Sequence, residues 1–290
     1  MPKRPWIAGG FVLLVVAFGV LYREVLSKLV SDWASDDNYS HGFLIVPIAA
    51  YLAWERRSRL LAAPPRPSSL GLILVIGSFL VLMAGVLGAE LFLARISMLG
   101  VLAGSIVFVL GWHHLRILAF PIAFLVLMVP LPAIVFNQIA FPLQLLASQV
   151  GEASLSAVGI PVLREGNVMI MANTSLEVAE ACSGIRSLIS LLTLGLVFGY
   201  FIDPRGWVRA GIALATIPIA VIANGVRVAG TGIAAHAYGP AAAEGFFHEF
   251  SGWLVFVFAF SLLFLMQRVI QWASPPSSVD AGAAAKVQAA

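Results

Sequence analysis

The sequence predicts an all-α integral membrane protein of roughly eight transmembrane helices, with a small extracytoplasmic β-hairpin element late in the chain. Three observations predict it. The 290 residues are 60% hydrophobic and only 11% charged. Mean hydropathy is +0.97. The apolar residues also gather into runs close to the ~20 residues that span a hydrocarbon core. A soluble domain carries about twice this share of charge.

The first run, Trp6 to Tyr22, starts almost at the N-terminus and lacks a small-residue cleavage site, so a retained helix is expected rather than a removed signal peptide. The second, His41 to Trp54, is short and extends through Arg57 by snorkelling. Leu70 to Leu87, Leu91 to Gly111 and Leu115 to Pro130 follow. Leu131 to Ile160 is apolar but broken by Pro132, Asn137, Gln138, Pro142, Gln144 and Gln149. Its course is open: it lies in the interface, re-enters, or crosses twice. A single crossing would break the agreement between the two halves of the chain. The last three spans are Cys182 to Ile202, Trp207 to Ala223 and Gly252 to Ile270. Residues 1–273 thus read as one polytopic membrane domain. The Ala-, Ser- and Pro-rich stretch 274–290 reads as a disordered tail.

Between Ile160 and Glu180 the pattern turns from helical to extended. Val162 to Arg164, the Glu165-Gly166-Asn167 turn and Val168 to Met171 read as a hairpin. Asn173-Thr174-Ser175 reads as a second turn, after which Leu176 and Val178 alternate with Glu177 and Ala179. This element is expected to cap the outer end of the bundle and deliver the chain to Cys182. Asn173-Thr174-Ser175 also fits a glycosylation acceptor, a match read as chance.

Net charge is +3. Basic residues are those of cytoplasmic loops rather than of a nucleic-acid stripe, since none interleaves with aromatics as such a stripe requires. Lys3, Arg4, Arg56, Arg57, Arg59, Arg66, Arg116, Arg205, Arg209 and Arg268 fall on one side of an alternating topology. Glu24, Asp32, Asp36 and Asp37 fall on the other. Both termini are therefore expected in the cytoplasm. The start of the sixth span, the end of the seventh and the start of the eighth then meet at the outer surface.

Those three ends carry the reactive residues. Cys182 is the only cysteine, which excludes an internal disulfide and a thiolate zinc site. It sits in Glu180-Ala181-Cys182-Ser183-Gly184-Ile185-Arg186, at the start of a span. A thiol attacks as thiolate, and a helix N-terminus and Arg186 one turn on favour that form. Glu177 and Glu180 oppose it, so a base or cation from elsewhere is needed. His248 precedes the last span and can exchange protons near neutral pH. Arg227, in Asn224-Gly225-Val226-Arg227, stays charged and can donate to a developing oxyanion. Nucleophile, proton carrier and anion stabiliser make an acyl-transfer set.

Each has a plainer reading. A lone membrane cysteine usually packs, a histidine at a span edge is usually interfacial, and an arginine at a span end usually snorkels to lipid headgroups. His113 and His114 point apart on a helix with no acid beside them, so no metal site is assigned. His41 and His236 lie on the outer side, and His236 rivals His248 as proton carrier. Gly230 and Gly232 serve turns or helix contact.

Taken together, Glu180-Ala181-Cys182-Ser183-Gly184, Asn224-x-x-Arg227 and His248 before a final span resemble the exosortase/archaeosortase family of multi-spanning cysteine transpeptidases. Ser40-His41-Gly42-Phe43 through Trp54-Glu55-Arg56-Arg57, Leu163-Arg164-Glu165-Gly166-Asn167 and Phe247-His248-Glu249-Phe250-Ser251-Gly252-Trp253 extend the resemblance from about Tyr39 to Trp272. A histidine in the third motif is similar to the bacterial exosortase branch. The resemblance implies Cys182, Arg227 and His248 as catalytic residues, with Glu180, Ser183, Gly184, Arg186 and Asn224 binding or supporting substrate. It implies no cofactor. It further implies as partners, besides membrane lipid, secreted proteins ending in a Pro-Glu-Pro-type motif, a membrane helix and a basic tail, in systems tied to exopolysaccharide export. Two other classes stay open: a transporter using Arg227 and His248 along an ion path, and a non-catalytic subunit of an export complex. A rhomboid-like serine protease wants a Gly-x-Ser-x-Gly placement that Cys182-Ser183-Gly184 does not provide. A lipid-linked sugar transferase usually wants acidic metal ligands in a soluble-facing loop, and none is paired that way here.

Overall fold

The computed structural model describes residues 5–172, 174–178, 184–203, 205–239 and 246–273, with the side chains of 5–12, 174 and 246–251 excepted. Helices α1 (Pro5–Leu21), α2 (Arg23–Ser35), α3 (Gly42–Glu55), α4 (Arg57–Ala62), α5 (Leu70–Leu87), α6 (Leu91–Val109) and α7 (Trp112–Phe124) come first; a 3-10 turn, Leu125–Met128, extends α7. Then follow α8 (Ala133–Ala157), strands β1 (Val162–Glu165), β2 (Val168–Met171) and β3 (Thr174–Glu177), and helices α9 (Ile185–Ile202), α10 (Gly206–Tyr238) and α11 (Phe246–Ala273). Among the described residues, six helices are long and apolar enough to cross a membrane: α5, α6, α8, α9, α10 and most of α11. Gly42–Glu55 and Trp112–Met128 are shorter apolar helices. The chain is therefore an all-α multi-pass membrane protein with a small antiparallel sheet, close to the expected helix number.

Internal packing divides the chain into two compact units, Met1–Pro132 and Ala133–Ala290. In the first, α5 and α6 pack through small residues. Gly71 opposes Gly104, Ser78 opposes Gly100, and Gly85 opposes Ala94. In lipid, where apolar burial does not drive helices together, such close backbone approach supplies the attraction. Contacts at the two ends of α3, and the one joining the residues that flank α5 and α6, agree with alternating spans within this unit. At one end the Trp33 indole donates to the Met128 carbonyl at 2.9 Å and the His41 ring meets the Leu127 carbonyl at 3.2 Å. At the other, Arg56 donates to the Ile117 carbonyl and the Arg66 amide to the Leu110 carbonyl. The extension of the second span through Arg57 takes the form of a separate short helix, α4.

Arg95 was absent from the sequence-level inventory of charges. It lies in the first turn and a half of α6, 2% exposed, and is ion-paired with Asp32 of α2. Asp32 also pairs with Lys28 at 2.9 Å. Burial alone would raise the Asp32 carboxyl; Lys28 and Arg95 outweigh burial and hold it below the usual carboxylate range.

The second unit corrects four expectations. Leu131 to Ile160 contains one continuous 25-residue helix, α8, about 38 Å long, so it does not cross twice. The expected hairpin has a third strand: β1, β2 and β3 form an antiparallel meander in which Thr174 and Ser175 lie in β3 rather than in a turn. The turn at Gly166 (φ +66°) is as expected, because a two-residue hairpin loop needs a left-handed residue that glycine supplies without strain. The seventh span does not end at Ala223: α10 runs 33 residues, to Tyr238. Nor does the sixth begin at Cys182. Gly184 adopts φ +83°, a left-handed conformation that terminates helical geometry, and α9 starts after it.

The long α10 is explained by two cores stacked along it. Its first half packs with α9 and α11 around Leu191, Val208, Ile212, Ala220, Ala223, Val255 and Leu263. Its second half carries the sheet and the end of α8, around Leu155, Met169, Met171, Val178, Val228 and Ala235. Val150 abuts Gly225, Gly151 abuts Val228 and Met169, and Leu155 abuts Gly232, so α8 runs parallel to α10 here. Had α10 stopped at Ala223, the core shared by the sheet and α8 would lack Val228 and Ala235. The expected tail, 274–290, lies outside the described residues.

Candidate functional site

The site region sits where these two cores meet. Gly184, the last residue of Cys182-Ser183-Gly184, is buried against Asn224. A Cβ placed on Gly184 would come within 2.8 Å of Asn224 Cγ and 2.9 Å of its Cβ. Asn224 is 2% exposed. Three residues further along α10, and so on the same face, is Arg227. Its guanidinium lies over Gly252 of α11, with Nη2 3.5 Å and Cζ 3.7 Å from where a Cβ would stand. Position 248 is one turn earlier on α11 than Gly252, on the same helix face. One stretch of α10 thus touches both the start of α9 and the start of α11.

Of the sequence-proposed residues, Gly184, Arg186, Asn224 and Arg227 are described, and α9, α10 and α11 bring their motifs together. Arg186 is in the first turn of α9, half-buried. Glu180, Cys182 and Ser183 lie outside the described residues, as does the side chain of His248. Asn224 and Arg227 are in the interior of α10 rather than at a helix end. His236, the rival proton carrier, is exposed in the last turn of α10, nine residues or about 14 Å along the axis beyond Arg227. His41 belongs to the first unit, where its ring contacts the Leu127 carbonyl. His114 is buried at the start of α7 in that same unit.

The opposite end of the second unit is basic and aromatic. Arg205 makes a 2.7 Å ion pair with Asp203 and stacks on Trp207; Arg209 stacks on Tyr200; Arg268 stacks on Phe264. From Arg209 to Arg227 is 18 residues, about 27 Å of helix. From Gly252 to Arg268 is 16 residues, about 24 Å. Those lengths approach the ~30 Å hydrocarbon thickness, so Arg227 and the basic aromatic belt stand about one membrane apart.

Asn167 and Gly252 were not singled out individually from sequence. Asn167 entered as a turn residue and as the end of the stretch Leu163 to Asn167 that extends the resemblance, and Gly252 as the start of a span and a member of the stretch Phe247 to Trp253, neither with a role of its own. No pattern in the sequence announces a glycine facing a guanidinium on another helix. Arg95 did carry a signal, since an arginine inside an apolar run needs a partner.

The elements that converge here define a polytopic membrane protein in which the residue preceding α9, the middle of α10 and the start of α11 meet. Residues 33–265 match the model of the transmembrane exosortase family, and the chain belongs to that family. No curated protein and no solved structure matches it.

Proposed function

We propose that the protein is a membrane-embedded cysteine transpeptidase or protease. It cleaves the C-terminal Pro-Glu-Pro-type sorting signal of secreted proteins at the outer face of the bacterial inner membrane. The observation that carries this reading is the contact chain Gly184–Asn224 and Arg227–Gly252, which draws the three motif-bearing elements together. Membership in the transmembrane exosortase family supports it.

In this reading the Cys182 thiolate attacks the backbone carbonyl at the motif, and a C–S bond forms. Arg227 donates hydrogen bonds to the resulting oxyanion. The C–N bond then breaks, and His248 delivers a proton to the leaving amine, which departs with the substrate's membrane helix and basic tail. An acceptor nucleophile, or water, takes the acyl group from sulfur and restores the thiol. Because the substrate's own helix is held in the same bilayer, its motif is presented at high effective concentration. With α8 as a single span-length helix, loop charges alone no longer assign one side to both halves of the chain, and in this reading the Cys182 end faces the periplasm because the substrate's motif is presented there.

Hydroxylamine tests the covalent intermediate. With purified protein and a signal-bearing reporter it is expected to capture the acyl group as a hydroxamate at the cleavage point. Tail release with no hydroxamate, at a hydroxylamine concentration that intercepts a model thioester, argues against an acyl-enzyme.

A further inference from the structure

We infer that Asn167 is a positioning residue that sets the loop carrying Cys182. The inference rests on the proposed role of Cys182. Asn167 is in the two-residue turn between β1 and β2, outside the cysteine, arginine and histidine motifs. It grips Val178 twice. The Val178 amide donates to the Asn167 carbonyl at 2.9 Å, and the Asn167 side-chain amide donates to the Val178 carbonyl at 3.2 Å. The partner of the side chain is a carbonyl, so the NH2 end must face it.

Val178 is the last described residue before the cysteine segment, and it is 1% exposed in the upper core. Both its backbone polar groups are thereby satisfied by one residue, which fixes the direction in which the chain leaves β3. On the far side, Gly184 is fixed against Asn224. Val178 and Gly184, the described residues on either side of the cysteine segment, are thus both held. The turn itself is braced: Ser148 Oγ and Arg164 Nη1 each donate to the Gly166 carbonyl at 3.0 Å, and Arg164 Nε reaches Glu152 Oε2 at 2.8 Å. The brace anchors the sheet to α8, the β2–β3 ladder carries that anchor into β3, and Asn167 extends it beyond the ladder to Val178. A small displacement of a nucleophile costs rate rather than binding.

The sole cysteine gives a direct readout, because any alkylation of the chain reports on Cys182. The test compares wild type, Asn167→Asp, Asn167→Ser and Arg164→Ala as full-length protein in bilayer discs. Each is read by melting temperature, reporter turnover and the pH profile of iodoacetamide alkylation. Asn167→Asp keeps the shape but loses the donor. It is expected to lower kcat about tenfold at unchanged KM and to shift the alkylation profile. Asn167→Ser keeps a donor at shorter reach and is expected to recover part of both. Arg164→Ala is expected to lower the melting temperature while leaving the profile in place. A wild-type profile and kcat in Asn167→Asp would overturn the inference. So would an Arg164→Ala profile shifted as far as that of Asn167→Asp, since general loosening of the sheet would then suffice. If Asn167→Asp does not fold, Asn167→Ser with wild-type kcat and profile overturns it equally. Alkylation needs no substrate, so failure of the peptidase reading, seen as processing by Cys182→Ser, remains distinguishable.

Discussion

Gly184 and Asn224 touch so closely that no side chain fits between them: a methyl on Gly184 would stand 2.8 Å from Asn224 Cγ. Gly184 also has φ +83°. Two independent constraints, one of backbone and one of packing, therefore hold glycine at the residue that joins the cysteine segment to α9.

Gly184→Ala is expected to be disabling. The left-handed conformation costs an alanine about 1 kcal/mol, and the methyl must displace Asn224, whose own Cβ is in the way. Reporter processing is expected to fall more than tenfold, with a lowered melting temperature. A variant with wild-type melting and processing would show that the contact is dispensable.

Gly252 separates size from position. A Cβ there meets the Arg227 guanidinium at 3.5 Å, ordinary van der Waals distance, so Gly252→Ala is expected to fold and process normally. Gly252→Leu fills the space that the guanidinium occupies and is expected to reduce turnover at least tenfold. Equal activity in the two would disconnect Arg227 from the reaction.

Arg227→Lys keeps the charge and loses the planar fork of donors. Turnover is expected to fall by about two orders of magnitude, the range seen when an oxyanion donor is removed, with little change in KM. Near-normal kcat would reduce Arg227 to a headgroup anchor.

In the first unit, Asp32→Ala strands the buried guanidinium of Arg95. Removing one partner of such a pair costs about 3–5 kcal/mol, less whatever solvent reaches the partly exposed Asp32. The double variant Asp32→Ala, Arg95→Leu is expected to regain most of the lost thermal stability. Additive losses in this cycle would mean that the pair contributes nothing.

The turn between α9 and α10 carries a pH dependence. Burial would raise the Asp203 carboxyl, but hydrogen bonds and charge from Arg205, with charge from Arg209, hold it below its ordinary value. A depressed folded-state value means stabilisation that is complete above the unfolded value near about 3.9 and is lost as pH falls through the folded one. The melting advantage of wild type over Asp203→Asn is therefore expected at about pH 6 and should shrink toward about pH 3. A gap that widens on acidification would reverse the sign of the argument.

What was legible in the sequence follows from the kind of signal each feature leaves. Apolar runs announce membrane helices because lipid demands continuous hydrophobicity, and α5, α6 and α9 stand within a few residues of their expected limits. Helix ends inside apolar sequence are less visible. Nothing between Ala223 and Asn224 distinguishes a chain that stops from one that continues, and the reason α10 continues is tertiary: the sheet and α8 need its second half. The third strand was legible at Leu176 to Val178, but its start was misplaced because Thr174 and Ser175 have turn chemistry, while their pairing with Met171 and Ile170 is decided by β2. In the site, the motif residues were visible as chemistry. The contacts that join them, Gly184 with Asn224 and Arg227 with Gly252, involve glycines and so leave no chemical mark. The role of Asn167 was equally hidden, since an asparagine in a turn is ordinary.

The most direct measurement is processing of a co-expressed secreted reporter that carries a Pro-Glu-Pro-type C-terminal signal, compared between wild type and Cys182→Ser at matched membrane levels. Loss of the tail with wild type and its full retention with Cys182→Ser is the predicted result. Equal tail loss in both would contradict the account and leave Cys182 as packing.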